Sequence, residues 1–310
     1  DATTGKRLWD QNMRPKAEKD VGFSGGLAAA GGSVFVATAT GEILALDGKT
    51  GKTLWQQQIE APIRAAPTVA DGRVYVVSHD NRLSVFSALD GTLIWTHSGI
   101  EESLGLLQAA APAVAEGVVV VAYSSGELYA LTADKGDFIW QESLGVAAGQ
   151  DPLRAVTDVV GAPVIINSVV YAVNVNGRLI TLDLKTGQPF WDVEVSSTST
   201  PWVAGNMVYL LTDDQQLVAL YRKNGGVRWV HDLRKSAWQD KKKPVFFSGP
   251  VLAGGRLLVV SSEGYAASIN PKTGRAISVV RVAGGASVAP VVAGGMLYIL
   301  SDRGEIVAYR

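Results

Sequence analysis

The stretch ALDGKTGKTLW, Ala45–Trp55, decides the fold because it returns. Near-copies stand at Ala130–Trp140 (ALTADKGDFIW) and Thr181–Trp191 (TLDLKTGQPFW). Aligned on the glycine four residues before the tryptophan, seven copies appear, at Gly5, Gly51, Gly91, Gly136, Gly187, Gly225 and Gly274. Six carry the tryptophan (Trp9, Trp55, Trp95, Trp140, Trp191 and Trp229), and the seventh has Ser278 instead. The spacing matches the ~40–50 residues of one four-stranded propeller blade.

Between copies the chain reads as short runs rich in Val, Ile, Leu and Tyr, broken at Gly or Asp. RVYVVSHD, NRLSVFSAL and DGTLIWTHSG, spanning Arg73–Gly99, show the pattern. That is the mark of antiparallel strands joined by tight turns. No window of helical length carries the i, i+3, i+4, i+7 apolar spacing, so an all-β fold is expected over 1–310 as one domain. A large flat ring fills the ~10 Å gap between packed sheets, so the six tryptophans are expected to dock neighbouring blades.

The ends extend the pattern. Glu305–Arg310 (EIVAYR) followed by Asp1–Trp9 (DATTGKRLW) reproduces EILALDGKTGKTLW, Glu42–Trp55. Lys6–Gln11 are therefore expected to supply an outer strand, pairing with Glu305–Tyr309 if seven blades close the ring. The chain opens inside a repeat copy, and residues upstream, including most of a first blade, are expected to be missing.

The 310 residues are 47% hydrophobic and 18% charged, enough for a substantial core and too apolar for a disordered chain. A net charge of −1 gives no general attraction for nucleic acid. With no Cys there is no disulfide, thiolate nucleophile or Cys-ligated metal.

The repeated A-x-D-x-x-T-G-x-x-x-W resembles the PQQ-like (quinoprotein-dehydrogenase-like) β-propellers. SLGLLQAAAP (Ser103–Pro112), the run from Arg154 to Trp191, and SGPVLAGGRLLVVSSEGYAASINPKTGR (Ser248–Arg275) extend the likeness to the BamB-like outer-membrane assembly lipoproteins. The resemblance implies eight blades in the intact protein, of which this chain holds seven equivalents. It implies a scaffold at the periplasmic face of a Gram-negative outer membrane, held by an upstream lipid anchor. The implied partners are the POTRA domain of the insertase BamA and unfolded outer-membrane protein clients. No catalytic residue, cofactor or metal is implied.

The rival class within the superfamily is a PQQ-dependent dehydrogenase or a quinone-binding sensor. Such enzymes hold calcium over the quinone, and calcium takes about six to eight oxygen ligands. No compact group in the sequence offers them. Asp47, Asp90 and Asp183 fall in repeat turns, where a carboxylate bonds the turn backbone. His79, His97 and His231 are scattered and lack metal-ligand spacing.

Binding in a propeller resides in the connecting loops, so breaks in the period carry the functional reading. IEESLGLLQAAAP, Ile100–Pro112, places Leu104, Leu106 and Leu107 in a linker. By the resemblance Leu104 and Leu106 bind the partner, while Leu107 replaces an arginine of the family. The linker after Trp140 holds Asp158, which matches an acidic family position, and Arg154, which replaces another. LRKSAWQDKKKPVFF, Leu233–Phe247, offers a second surface with Trp238, Lys241, Lys242, Lys243, Phe246 and Phe247.

Overall fold

The computed structural model describes residues 1–13, 25–100, 109–144, 159, 161–236 and 244–310. Blade 1 contains β1 (Gly26–Ala30), β2 (Ser33–Ala37), β3 (Glu42–Asp47) and β4 (Thr53–Gln58). Blade 2 contains β5 (Thr68–Ala70), β6 (Arg73–Val77), β7 (Arg82–Ser87) and β8 (Leu93–Ser98). Blade 3 follows with β9 (Ala113–Ala115), β10 (Val118–Ala122), β11 (Glu127–Thr132) and β12 (Phe138–Ser143). Blade 4 has β13 (Val164–Ile166), β14 (Val169–Val173), β15 (Arg178–Asp183) and β16 (Pro189–Glu194). Blade 5 has β17 (Trp202–Ala204), β18 (Met207–Leu211), β19 (Gln216–Tyr221) and β20 (Val227–Asp232). Blade 6 has β21 (Phe247–Ala253), β22 (Arg256–Ser261), β23 (Tyr265–Ile269) and β24 (Ala276–Arg281). The last sheet has three strands, β25 (Val291–Ala293), β26 (Met296–Leu300) and β27 (Ile306–Tyr309).

Each sheet is a meander in which strands pair with their sequence neighbours. The expected all-β propeller is what forms. Among the described residues the sole helical element is a single 3-10 turn, Leu233–Lys235. The chain divides into two compact units, Asp1–Val170 with Asp183–Gln188, and Tyr171–Leu182 with Pro189–Arg310.

The repeat motif is a fastener of fixed geometry. Its glycine closes a turn by donating to the carbonyl four residues back, at 2.8–2.9 Å in every copy from Gly5 to Gly274, with φ near +70°. A residue without Cβ takes that conformation at little cost. The tryptophan of the preceding outer strand lies against the glycine. A Cβ built on Gly51, Gly91, Gly136, Gly187, Gly225 or Gly274 falls 2.5–2.7 Å from an indole atom of Trp9, Trp55, Trp95, Trp140, Trp191 or Trp229 respectively. Each indole N–H donates to the carbonyl three residues before that glycine. The acceptors are Gly48 (3.0 Å), Ala88 (3.0 Å), Ala133 (3.4 Å), Leu184 (2.8 Å), Arg222 (2.9 Å) and Pro271 (3.0 Å). Burying the ring and satisfying its one polar atom are thus done by the same turn.

Opposite each tryptophan in the ladder stands a smaller residue: Ala45, Val85, Ala130, Thr181 or Ala219. The register shifts immediately after it in every blade, a bulge that extrudes the residue before the tryptophan. This is why Leu54, Ile94 and Phe190 are exposed although apolar.

A second repeat lies in the hairpins between each blade's second and third strands. Side-chain oxygens of Thr38, Asn174, Thr212, Ser261 and Ser301 accept from the N–H four residues on, at 2.9–3.1 Å. These side chains satisfy backbone donors that a tight hairpin leaves unpaired.

The strand expected over Lys6–Gln11 does not form: these residues carry no ladder hydrogen bonds, and a strand exists only where its backbone is paired. Trp9 still docks on blade 1, and Gln11 Nε2 adds a 2.8 Å bond to Gly51 O. β27 pairs with β26 alone among the described strands.

Candidate protein-interaction surface

The linker from each outer strand to the next blade starts in one way. Its first N–H donates to the carbonyl of a hairpin residue with positive φ. The pairs are Ile59 to Gly41 (2.9 Å), Gly99 to Asn81 (2.8 Å), Leu144 to Gly126 (2.8 Å), Val195 to Gly177 (2.9 Å), Leu233 to Gln215 (3.2 Å) and Val282 to Gly264 (2.9 Å). The ordinary linkers, 59–67 and 195–201, cross directly to the next blade. The linkers 99–112, 144–163 and 233–246 are longer in sequence, and these are the three segments the sequence singles out.

Leu104, Leu106, Leu107, Arg154, Asp158, Trp238, Lys241, Lys242 and Lys243 lie outside the described residues. The geometry therefore belongs to the roots of these linkers. Asn81 is 3% exposed and replaces the glycine found at this hairpin position in blades 1, 3, 4 and 6 and in the last sheet. Its Nδ2 donates to Ile100 O (2.6 Å) and to Ser124 Oγ (2.9 Å). Its Oδ1 accepts from Ser124 N at 3.1 Å. One side chain thereby ties the root of the first linker to the β10–β11 hairpin of blade 3. The second linker starts from the same hairpin, through Leu144 N on Gly126 O, with Leu144 fully buried. Near its far end the first linker is held by Thr68 Oγ1 donating to Pro112 O (2.6 Å), and in the second Val159 is buried.

Beneath the first root, the His97 ring stacks on Tyr123 with centroids 5.9 Å apart, and Tyr129 closes on it at 4.8 Å. Burial lowers the His97 pKa from its ordinary 6.5 and raises that of Tyr123. The imidazole is neutral at neutral pH, and its Nδ1 shares a 2.8 Å hydrogen bond with the Tyr123 hydroxyl. A depressed histidine pKa means the unfolded chain takes up the proton first. The stability it supplies is complete above about pH 6.5 and declines as pH falls from there towards the folded value. Urea midpoints measured from pH 7.5 to 5 should fall in the parent chain, and fall less steeply in His97→Gln.

The third root is rigid in a different way. Asp232 Oδ1 accepts from Arg234 N at 3.1 Å and caps the 3-10 turn, whose Leu233 is fully buried. His231 bonds Gly274 O (2.6 Å) and Ser236 Oγ (3.0 Å). Of the two phenylalanines expected on this surface, Phe246 is 63% exposed, but Phe247 is 6% exposed and packs in the core with Leu257 and Val259. Adjacent residues of a strand face opposite sides, so only one of the pair is presented.

Sequence reasoning missed Asn81. The signal available was an asparagine at the hairpin position where five other sheets have glycine. Asp47 and Asp183 bond the turn backbone as expected, at 2.7–3.1 Å. Those bonds hold both carboxyls below the usual range, led by the Thr50 hydroxyl for Asp47 and the Thr186 N–H for Asp183. Among the described residues no group of three or more His, Cys, Asp or Glu could hold a metal ion.

Docked-tryptophan blades with anchored linkers define the class: a PQQ-like β-propeller. A BamB from Moraxella catarrhalis shares the fold, with a TM-score of 0.81 at 24% identity over 91% of this chain and 83% of that one. A quinohemoprotein alcohol dehydrogenase from Pseudomonas putida HK5 shares it less closely, at 0.60 and 12% over 90% and 69%. The chain belongs to the outer membrane protein assembly factor BamB family, whose model matches residues 1–231 and 232–310. The BamB of Salmonella typhimurium is 33% identical over 315 residues, covering 99% of this chain and 78% of its own.

Proposed function

We propose that the chain is a non-catalytic scaffold of the outer-membrane β-barrel assembly complex, working at the periplasmic face of the membrane. It binds the POTRA region of BamA through the linkers 99–112 and 144–163. One observation carries this reading: the Asn81 side chain ties the root of the first linker to Ser124 in the β10–β11 hairpin of blade 3, and the second linker departs from that same hairpin through Gly126. Segments rooted on one rigid hairpin can present side chains to a single partner. In this reading Leu104 and Leu106, with Leu107, form the apolar centre, and Asp158 and Arg154 form the charged rim. The relatives matched by sequence are named assembly factors, which supports a role without catalysis.

Apolar anchors at an interface centre commonly cost ~1–4 kcal/mol each when truncated, and rim charges cost less. Leu104→Ala with Leu106→Ala should therefore weaken binding to the isolated periplasmic domain of BamA by about tenfold or more, with melting unchanged. Asp158→Lys should have a smaller, salt-sensitive effect. Unchanged affinity in the double variant would remove this linker from the interface. A lowered melting temperature with intact affinity would make the leucines core residues instead.

A further inference from the structure

The motif turns of blades 5 and 6 depart from those before them. The turns of blades 1 to 4 each contain an acid: Asp47, Asp90, Asp134 or Asp183. The β19–β20 turn reads Tyr221-Arg222-Lys223-Asn224-Gly225-Gly226, and the β23–β24 turn reads Asn270-Pro271-Lys272-Thr273-Gly274-Arg275. Neither holds an acid. Asn270 does the work that aspartate does elsewhere, accepting from Lys272 N (2.9 Å) and Thr273 N (3.2 Å) without the charge.

The two turns are physically joined. Arg228 occupies the bulge position that Leu54, Ile94 and Phe190 fill in other blades, and so projects outward. Its Nε donates to Lys272 O at 3.1 Å, and its guanidinium lies 5.8 Å from the Tyr221 ring centroid. Trp229 ties blade 5 to Pro271 of the same turn. Lys223, Arg228, Lys272 and Arg275 are all exposed, and Tyr221, Val227 and Ile277 stand exposed among them. This face lies at the opposite end of β20 from the linker 233–246, so it is not the surface carrying Phe246.

We propose that these paired turns dock on an anionic phospholipid surface. The cations meet phosphates, and Tyr221, Val227 and Ile277 reach the headgroup layer. Charge complementarity selects an anionic partner, and convex turn tips with apolar side chains between cations suit a broad, soft surface better than a pocketed one. Each Lys or Arg near such a surface adds about a factor of five in affinity. The proposal is independent of the leucine linker, whose partner is a protein domain.

The test is co-sedimentation of the full chain with vesicles of phosphatidylglycerol and phosphatidylcholine, against phosphatidylcholine alone. The parent chain should bind only the anionic vesicles and be released by salt. Lys223→Glu, Lys272→Glu and Arg275→Glu together should weaken binding by about a hundredfold or more. Lys49→Glu with Lys52→Glu, in the blade 1 turn, should change little. If the charge-reversed triple variant does not fold, the glutamine triple variant and the salt titration of the parent chain carry the test. No binding by the parent chain, equal binding by a folded triple variant, or equal binding to neutral vesicles would overturn the proposal. So would complete displacement from the vesicles by soluble polyglutamate at low concentration, which would point to an acidic polypeptide.

Discussion

Replacing Trp140 by alanine should destabilise the chain by about 3–5 kcal/mol, the cost of emptying a large buried aromatic site. Trp140 is 6% exposed, its indole N–H donates to Leu184 O at 2.8 Å, and its ring covers Gly187. Trp140→Phe keeps much of the apolar area but leaves Leu184 O without its donor, so it should cost about 1–3 kcal/mol. Gly187→Ala should also destabilise, by about 1–2 kcal/mol for the backbone conformation alone, because φ is +70° there. Its Cβ would also sit 2.7 Å from the Trp140 ring. That clash exists only while the ring is present, so Gly187→Ala should cost less in the Trp140→Ala background. A double-mutant cycle on denaturant midpoints measures the difference, and strict additivity would mean that ring and glycine do not form a unit.

Asn81→Leu should be the next most damaging change, at about 2–4 kcal/mol, because it removes a buried polar side chain that pairs with two backbone groups at once. Ile100 O loses its donor and Ser124 N loses its acceptor. The backbone adds a further term: φ is +55° at Asn81, a region asparagine tolerates better than leucine. Asn81→Gly separates the two contributions, since glycine accepts the conformation and lacks the bonds. It should lie between the parent chain and Asn81→Leu in thermal melting. If the linker root governs partner binding, Asn81→Gly should also weaken affinity for the BamA periplasmic domain.

The features legible in the sequence are those where one residue type does one job. Only indole combines a flat ring with a single donor, and only glycine accepts both the positive φ and the ring against it. The tryptophan–glycine pairs are therefore visible as letters. The hairpin caps are hidden, because Thr38, Asn174, Thr212 and Ser261 serve equally well as short oxygen acceptors. Asn81 was hidden for the opposite reason: it looks like an ordinary turn residue, and its four-way bonding depends on Ser124 of another blade. Lys6–Gln11 have the composition of an outer strand, but strand formation needs a paired neighbour, which local sequence cannot supply. Phe247 reads with Phe246 as a surface pair in the sequence, and alternation along the chain entering β21 turns it inward.

The docking bonds also fix where the chain can be cut. Each of the six motif indoles is satisfied by the blade that follows it, so the cooperative unit is offset from the sheet. A segment excised as residues 68–98 would carry Trp95 away from Ala133 and leave Trp55 without Ala88. Stability then behaves as a series of nearest-neighbour couplings, in which damage at one junction loosens the blades on both sides and fades beyond them. Ser278, exposed where the other copies have tryptophan, is a break in that series. Under slow heating or force, the sheets after it should be the first to let go.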